Sequence, residues 1–286
     1  MNLIRKEIAV GIILLFIGIA VTPSINFNVV KASSEDEFVE VTSQACGIKG
    51  FGDNTVKLRK QQYRDLEQYL ADFRERLNKT TTREEAVPIF NEAVVELNKY
   101  GLLPKGMSIE QAQKLVTGGY QNSRLMNLIE KRFSKNLAVF NNSNFICLIA
   151  GQTDLNTYFQ NPIGTLLWYL SIIPFLFGIL IELLTILGSI NQFFPISLHQ
   201  RIGLGGYDPE VGGHSPTYGW LYTQGLLGIK KWNGNLFGAL HQPVLIGVFG
   251  DYYPAVCGFM GLRIFNFDSL TYLFYGTAIK VKISFS

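Results

Sequence analysis

LLWYLSIIPFLFGILIELLTILGSI, residues 166–190, is an apolar run with one charge, Glu182, and it separates a charged, helix-patterned half of the chain from a glycine-rich, aromatic half. About 20 predominantly apolar residues cross a hydrocarbon core of roughly 30 Å as a helix, and this mostly apolar run is 25 residues long. A transmembrane helix is the first expectation. Pro162 and Gly164 precede the run and Pro195 follows it, while Trp168, Tyr169, Phe193 and Phe194 put aromatic rings near both ends, where headgroups would lie. Pro174 and Gly178 inside it are common in membrane helices. They leave open a second arrangement, a hairpin broken near Pro174 that enters the membrane and returns. A charged Glu182 within lipid costs roughly 2.5–3.5 kcal/mol, so a protonated carboxyl, or one facing a partner helix, is read ahead of an ion or proton site.

Working outward towards the N-terminus, Arg5 and Lys6 precede an uncharged stretch over residues 8–21, the size of a signal-peptide core with positive charge on the retained side. Export is expected of residues 1–32. Val30, Lys31 and Ala32 offer a cleavage site unusually far from the apolar core, and an uncleaved segment would be an N-terminal anchor. Residues 33–54 read as a polar linker.

Residues 55–136 carry helical periodicity. Tyr63, Leu66, Leu70, Phe73 and Leu77 share one face, with Arg64, Asp65, Glu67, Asp72, Arg74 and Glu75 on the solvent side. Thr82 with Glu85 is a capping box opening a second helix, in which Pro88 is expected to force a kink or a later start. Gly101 followed by Leu102 fits a left-handed C-cap. Ser108 with Gln111 opens a third helix that stops at Gly118, and Leu125, Leu128, Ile129 and Phe133 stripe a fourth. Four amphipathic helices on short turns are the pattern of an antiparallel bundle. A fragment over residues 53–136 is then expected to fold alone, and residues 137–165 read as a loop.

Beyond the run the period changes to two, so residues 196–286 read as an antiparallel β domain, a sandwich or small open barrel. Ile279, Val281, Ile283 and Phe285 alternate with Lys280, Lys282 and Ser284. Residues 218–223, 244–249 and 262–267 supply further strands, and Asn233-Gly234 between apolar flanks is the pair a type I′ hairpin favours. The fold class is therefore α+β.

Chemistry-bearing residues are few. The histidines are His199, His214 and His241; with Asp208, Glu210 and Asp251 they could bind a metal or act in catalysis, but none stands at a paired ligand spacing. No metal or cofactor is expected. Cys46 and Cys147 would meet in an oxidising compartment if exported, and a disulfide between them is weighed equally against buried thiols, Cys257 being the third. Asn78 and Asn141 head glycosylation sequons. A formal net charge of +3, with bases and acids mixed along the helices, gives no basis for nucleic-acid binding.

The run over residues 218–234, YGWLYTQGLLGIKKWNG, together with Gly101-Leu102-Leu103-Pro104, Gly261-Leu262-Arg263-Ile264 and the closing strand over residues 278–283, resembles a group of exported, membrane-anchored archaeal proteins without a known activity. The resemblance implies that an exported helical part, an apolar segment and a terminal β part belong together. The expectation is a membrane-anchored cell-envelope protein that binds or assembles rather than catalyses, with the lipid bilayer as partner and an envelope partner for the β domain. The alternatives are an envelope enzyme using Glu182 or the C-terminal histidines and aspartates, and an oligomeric pore or transport accessory. With a single crossing, the helices would be extracytoplasmic and the β domain cytoplasmic; Arg201 beyond the run is the slender flank charge in favour.

Overall fold

A computed structural model describes residues 38–121, 142–160, 200–208, 213–240 and 252–284. The chain divides into two units, residues 1–38 and residues 39–286, and the elements below belong to the second apart from the first residue of the first strand. The described residues form three helices and one antiparallel sheet of eleven strands. The strands are β1 (Phe38–Cys46), β2 (Asn54–Arg59), β3 (Ser143–Thr153), β4 (Thr157–Gln160), β5 (Arg201–Asp208), β6 (Gly213–Ser215), β7 (Thr217–Gly225), β8 (Gly228–Gly238), β9 (Tyr252–Cys257), β10 (Met260–Asn266) and β11 (Thr271–Ser284). The helices are α1 (Lys60–Lys79), α2 (Arg83–Lys99) and α3 (Ile109–Thr117).

The caps form as the sequence specifies. Thr82 accepts from the Glu85 amide while Glu85 reaches back, and Ser108 and Gln111 do the same for α3. Gly101 takes φ +69°, and the Leu102 amide donates back to the Leu97 carbonyl at 2.9 Å, closing α2 by the expected motif. α2 starts at Arg83 and carries Pro88 inside it.

The helices are not a free-standing bundle. Leu66, Phe73 and Leu77 of α1, Phe90 and Leu97 of α2 and Leu115 of α3 share one core with Val39 and Val41 of β1, Leu148 and Ala150 of β3, Trp220 and Tyr222 of β7, Leu262 of β10 and Tyr275 of β11. Phe73, Phe90 and Tyr275 meet edge to face at 5.8–6.0 Å, so one three-ring contact ties two helices to the sheet. Arg83 adds a polar tie, donating to the carbonyls of Thr117 at the end of α3 and Ile146 in β3.

A second core lies on the other face of the sheet. Alternation divides the side chains: Cys147 and Ile149 of β3, Leu221 of β7 and Phe274 of β11 point there, with Ile202 and Leu204 of β5 and Ala255 and Val256 of β9 packed against them. The strand order runs β2-β1-β10-β11-β3-β7-β8, and the end of β11 also pairs with β8 and β9, which leads to β5, β4 and β6.

Several expectations change accordingly. The linker 33–54 holds β1, whose Val39 and Val41 are core residues that alternate with the outward-facing Phe38, Glu40 and Thr42. Residues 54–59 are a strand, not the start of a helix. The expected loop 137–165 contains β3, an interior strand between β11 and β7, and β4. The β domain is not confined to residues 196–286. The hairpin at Asn233-Gly234 is absent: β8 runs straight through, with Asn233 opposite Trp220 and Gly234 opposite Gly219. The turn is Leu226-Leu227, whose amides donate to the Phe145 carbonyl and to Asn144 Oδ1, so β3 holds the turn in place. The fourth helix, the strand at 244–249, the signal segment and the run 166–190 lie outside the described residues. No helix among the described residues is long and apolar enough to cross a membrane.

Candidate functional site

Of the residues singled out for chemistry, His214 is fully described. It is exposed on β6, with the Tyr253 hydroxyl 2.6 Å from its Nδ1 and the two rings 5.4 Å apart. Asp208 ends β5 opposite Gly213, one position from the Tyr207–His214 pair. Glu182, His199, Glu210, His241 and Asp251 lie outside the described residues. Among the described residues no three His, Cys, Asp or Glu side chains are grouped to hold a metal.

Cys46 and Cys147 are free, and the register explains why. Cys46 pairs with Gly261, Gly261 with Gly276 and Gly276 with Ile149, two residues from Cys147. Three strand spacings of about 4.8 Å exceed the roughly 7 Å between Cα atoms that a disulfide tolerates. Burial pushes the Cys46 thiol up to about 11 and the Cys147 thiol up to about 12. Neither supplies a thiolate at neutral pH. Asn78 is exposed in the last turn of α1, but the threonine of its sequon, Thr80, is buried and bonded to the Leu77 carbonyl and to the Tyr222 hydroxyl. Asn141 is outside the described residues.

What the fold does gather lies beside the β4–β5 hairpin. Gln160, last of β4, is the cross-strand partner of Arg201, first of β5. The apolar run 166–190 therefore sits wholly within an insertion whose two ends are neighbours in one sheet. Phe159, next to this exit, packs at 5.3 Å against Tyr272 of β11, Tyr272 at 4.7 Å against Phe265 of β10, both tilted, and Phe265 meets Phe267 in the turn beyond edge to face at 4.7 Å. At its inner end Phe159 meets Phe274 at 5.8 Å, in the second core. The Arg263 guanidinium lies 4.6 Å from the Phe159 ring centre and 5.8 Å from that of Tyr272. It has no ion pair among the described residues. Phe267 and Leu270 at the turn are each 47% exposed. Alternation along β10 creates this face: Leu262 and Ile264 enter the helix-side core, so Arg263 and Phe265 must face the opposite way. The strand was legible from that alternation, but its aromatic neighbours come from β4 and β11, and no local pattern announces them.

Two concavities lie elsewhere. A cavity of about 30 Å³ between α1 and the sheet, lined by Tyr63, Leu66, Leu97, Ile264, Asn266 and Leu273, has room for one water. A groove on the helical surface is lined by Tyr69, Asn91, Glu92, Glu96, Lys99 and Gln113. Its carboxylates are already engaged, Glu92 by Arg76 and Glu96 by Lys99. Neither brings together a nucleophile, a base and an electrophile stabiliser, the set that general catalysis requires.

No family model, curated protein or solved structure matches this chain.

Proposed function

We propose that this protein is a membrane-attached module of the cell envelope that binds or assembles with a partner, with its whole folded unit on one side of the bilayer and the run 166–190 entering the lipid from that side and leaving to it. The observation that carries the reading is the pairing of Gln160 with Arg201. Cross-strand partners lie about 5 Å apart, whereas a straight helix of 25 residues would separate its ends by about 37 Å. A single crossing would oblige residues 191–200 to return through hydrocarbon as unpaired backbone, which lipid does not tolerate. A dip broken at Pro174 meets both conditions. The helices fall on the same side as the C-terminal strands, because Phe73 and Phe90 share a core with Tyr275. The pairing of β11 with β3 on one side and β8 on another favours the open-barrel reading of the β part.

Labelling tests the arrangement. Val95→Cys on α2 and Tyr218→Cys on β7 are exposed positions before and after the run. With the native cysteines replaced, a membrane-impermeant maleimide is expected to treat the two alike: both labelled on intact cells, or both only after lysis. Opposite behaviour would restore a single crossing and remove the proposal.

A further inference from the structure

We propose that the sheet face formed by Phe159, Phe265, Phe267 and Tyr272 around Arg263 rests at the headgroup level of the bilayer. The inference rests on the membrane attachment argued above and names the surface that makes it. Four observations converge. First, the face adjoins the exit of the apolar run: Phe159 precedes Gln160, and only five residues, 161–165, lie between Gln160 and the run. Five extended residues reach less than about 20 Å, so lipid entered by residue 166 lies within reach of this edge of the sheet.

Second, the composition suits an interface between water and hydrocarbon. Ring bodies with a tyrosine hydroxyl and an arginine are the side chains enriched where one end is apolar and the other wet. The rings run in sequence from the second core at Phe274 to the exposed turn at Phe267. Third, Arg263 is already held over two rings and has no carboxylate partner among the described residues. A headgroup phosphate supplies the anion to which a guanidinium donates two parallel N–H bonds. A purely apolar cover would bury that charge unpaired, which is costly. Fourth, the opposite face is unsuited to lipid. The helices cover it, and their outer surfaces carry the pairs Arg76–Glu92, Glu75–Lys79 and Glu96–Lys99. With the rings towards lipid, these charges point to water.

The test uses the full chain reconstituted in vesicles of equal parts phosphatidylcholine and phosphatidylglycerol. In a Cys257→Ser background, with Cys46 and Cys147 buried and unreactive, an environment-sensitive fluorophore is attached at Asp268→Cys in the β10–β11 turn or at Val95→Cys on α2. A nitroxide on the upper acyl chain is expected to quench the probe at 268 and leave that at 95 unchanged, with iodide doing the reverse. Carbonate resistance of the same vesicles reports attachment separately. A chain that stays attached while its 268 probe answers only to iodide would overturn the docking surface and leave attachment standing. A probe shielded from both quenchers would mean that protein, such as the chain's own run, covers the face, which also overturns it. A chain released by carbonate would remove attachment and with it this inference.

Discussion

Thr80 and Tyr222 carry two hydroxyl hydrogens and have three contacts to serve, because Thr80 donates to the Leu77 carbonyl, Tyr222 donates to Gln224 Oε1, and the two oxygens lie 2.8 Å apart. One hydrogen must therefore be shared, and the pair acts as a buried latch between the end of α1 and β7. Tyr222→Phe removes one oxygen from this set and leaves Thr80 with the Leu77 carbonyl. The expected cost is about 1 kcal/mol, read as a shift of the urea midpoint without a change in slope; no shift would mean that the latch contributes nothing. The buried thiols give a pH signature. Folding holds Cys46 and Cys147 neutral up to about 11 and about 12, while the unfolded chain releases both protons above its ordinary 9.0. The unfolded state then binds fewer protons, so stability is intact below pH 9 and falls as pH rises above it, by up to about 1.4 kcal/mol per pH unit for each thiol. Urea titrations at pH 8, 9 and 10 should show the fall, and Cys147→Ala should reduce its slope by about half. Equal slopes would assign it to other groups.

At the scale of elements, what was legible followed from solvent contrast. α1, α2 and α3 each have one wet face; the stripes of α1 and α2 and the caps of α2 and α3 were plain in the sequence. β3 was missed because it is buried on both faces, which removes the alternation that marks a strand; Phe145, Cys147, Leu148, Ile149 and Ala150 are all in the interior. Asn233-Gly234 misled because turn chemistry is a local preference, and the register of β7 with β8 overrides it. The aromatic face was illegible because Phe159 comes from β4, far in sequence from the β10–β11 hairpin that supplies Phe265, Phe267 and Tyr272. The bundle was over-read for a related reason: the apolar stripes are real, but they pack on the sheet. A fragment of residues 53–121 loses Leu148, Tyr222, Leu262 and Tyr275 from its core. Its exposed stripes are expected to leave it largely unfolded, because helical stability in proteins comes mostly from packing of the amphipathic face, which here needs the sheet. A cooperative thermal transition of the isolated fragment, followed by circular dichroism, would contradict this.

For the whole molecule, the governing fact is that a β-hairpin is interrupted by 39 residues, 161–199, most of them apolar. The two locations open to the run have opposite energetic consequences for the folded unit. Lipid would leave the unit's own cores complete, so replacing residues 161–199 by a four-residue turn would close β4 to β5 at their existing register. The Gln200 carbonyl, which accepts from the Phe259 amide, stays in place. Shortening a free loop from 39 residues to 4 removes closure entropy, a gain of about 2 kcal/mol. A run packed on protein would instead take its contacts with it, and the loss of several buried side chains at about 2–5 kcal/mol each would exceed the loop gain. The sign of the change decides. The shortened chain is expected to unfold cooperatively in urea at the same or a higher midpoint than the native chain in detergent. It is also expected, once residues 1–32 are removed as well, to leave the membrane fraction. A lower midpoint corresponding to a loss of several kcal/mol of unfolding free energy would identify the run as core and would withdraw the membrane reading and the lipid-facing surface with it.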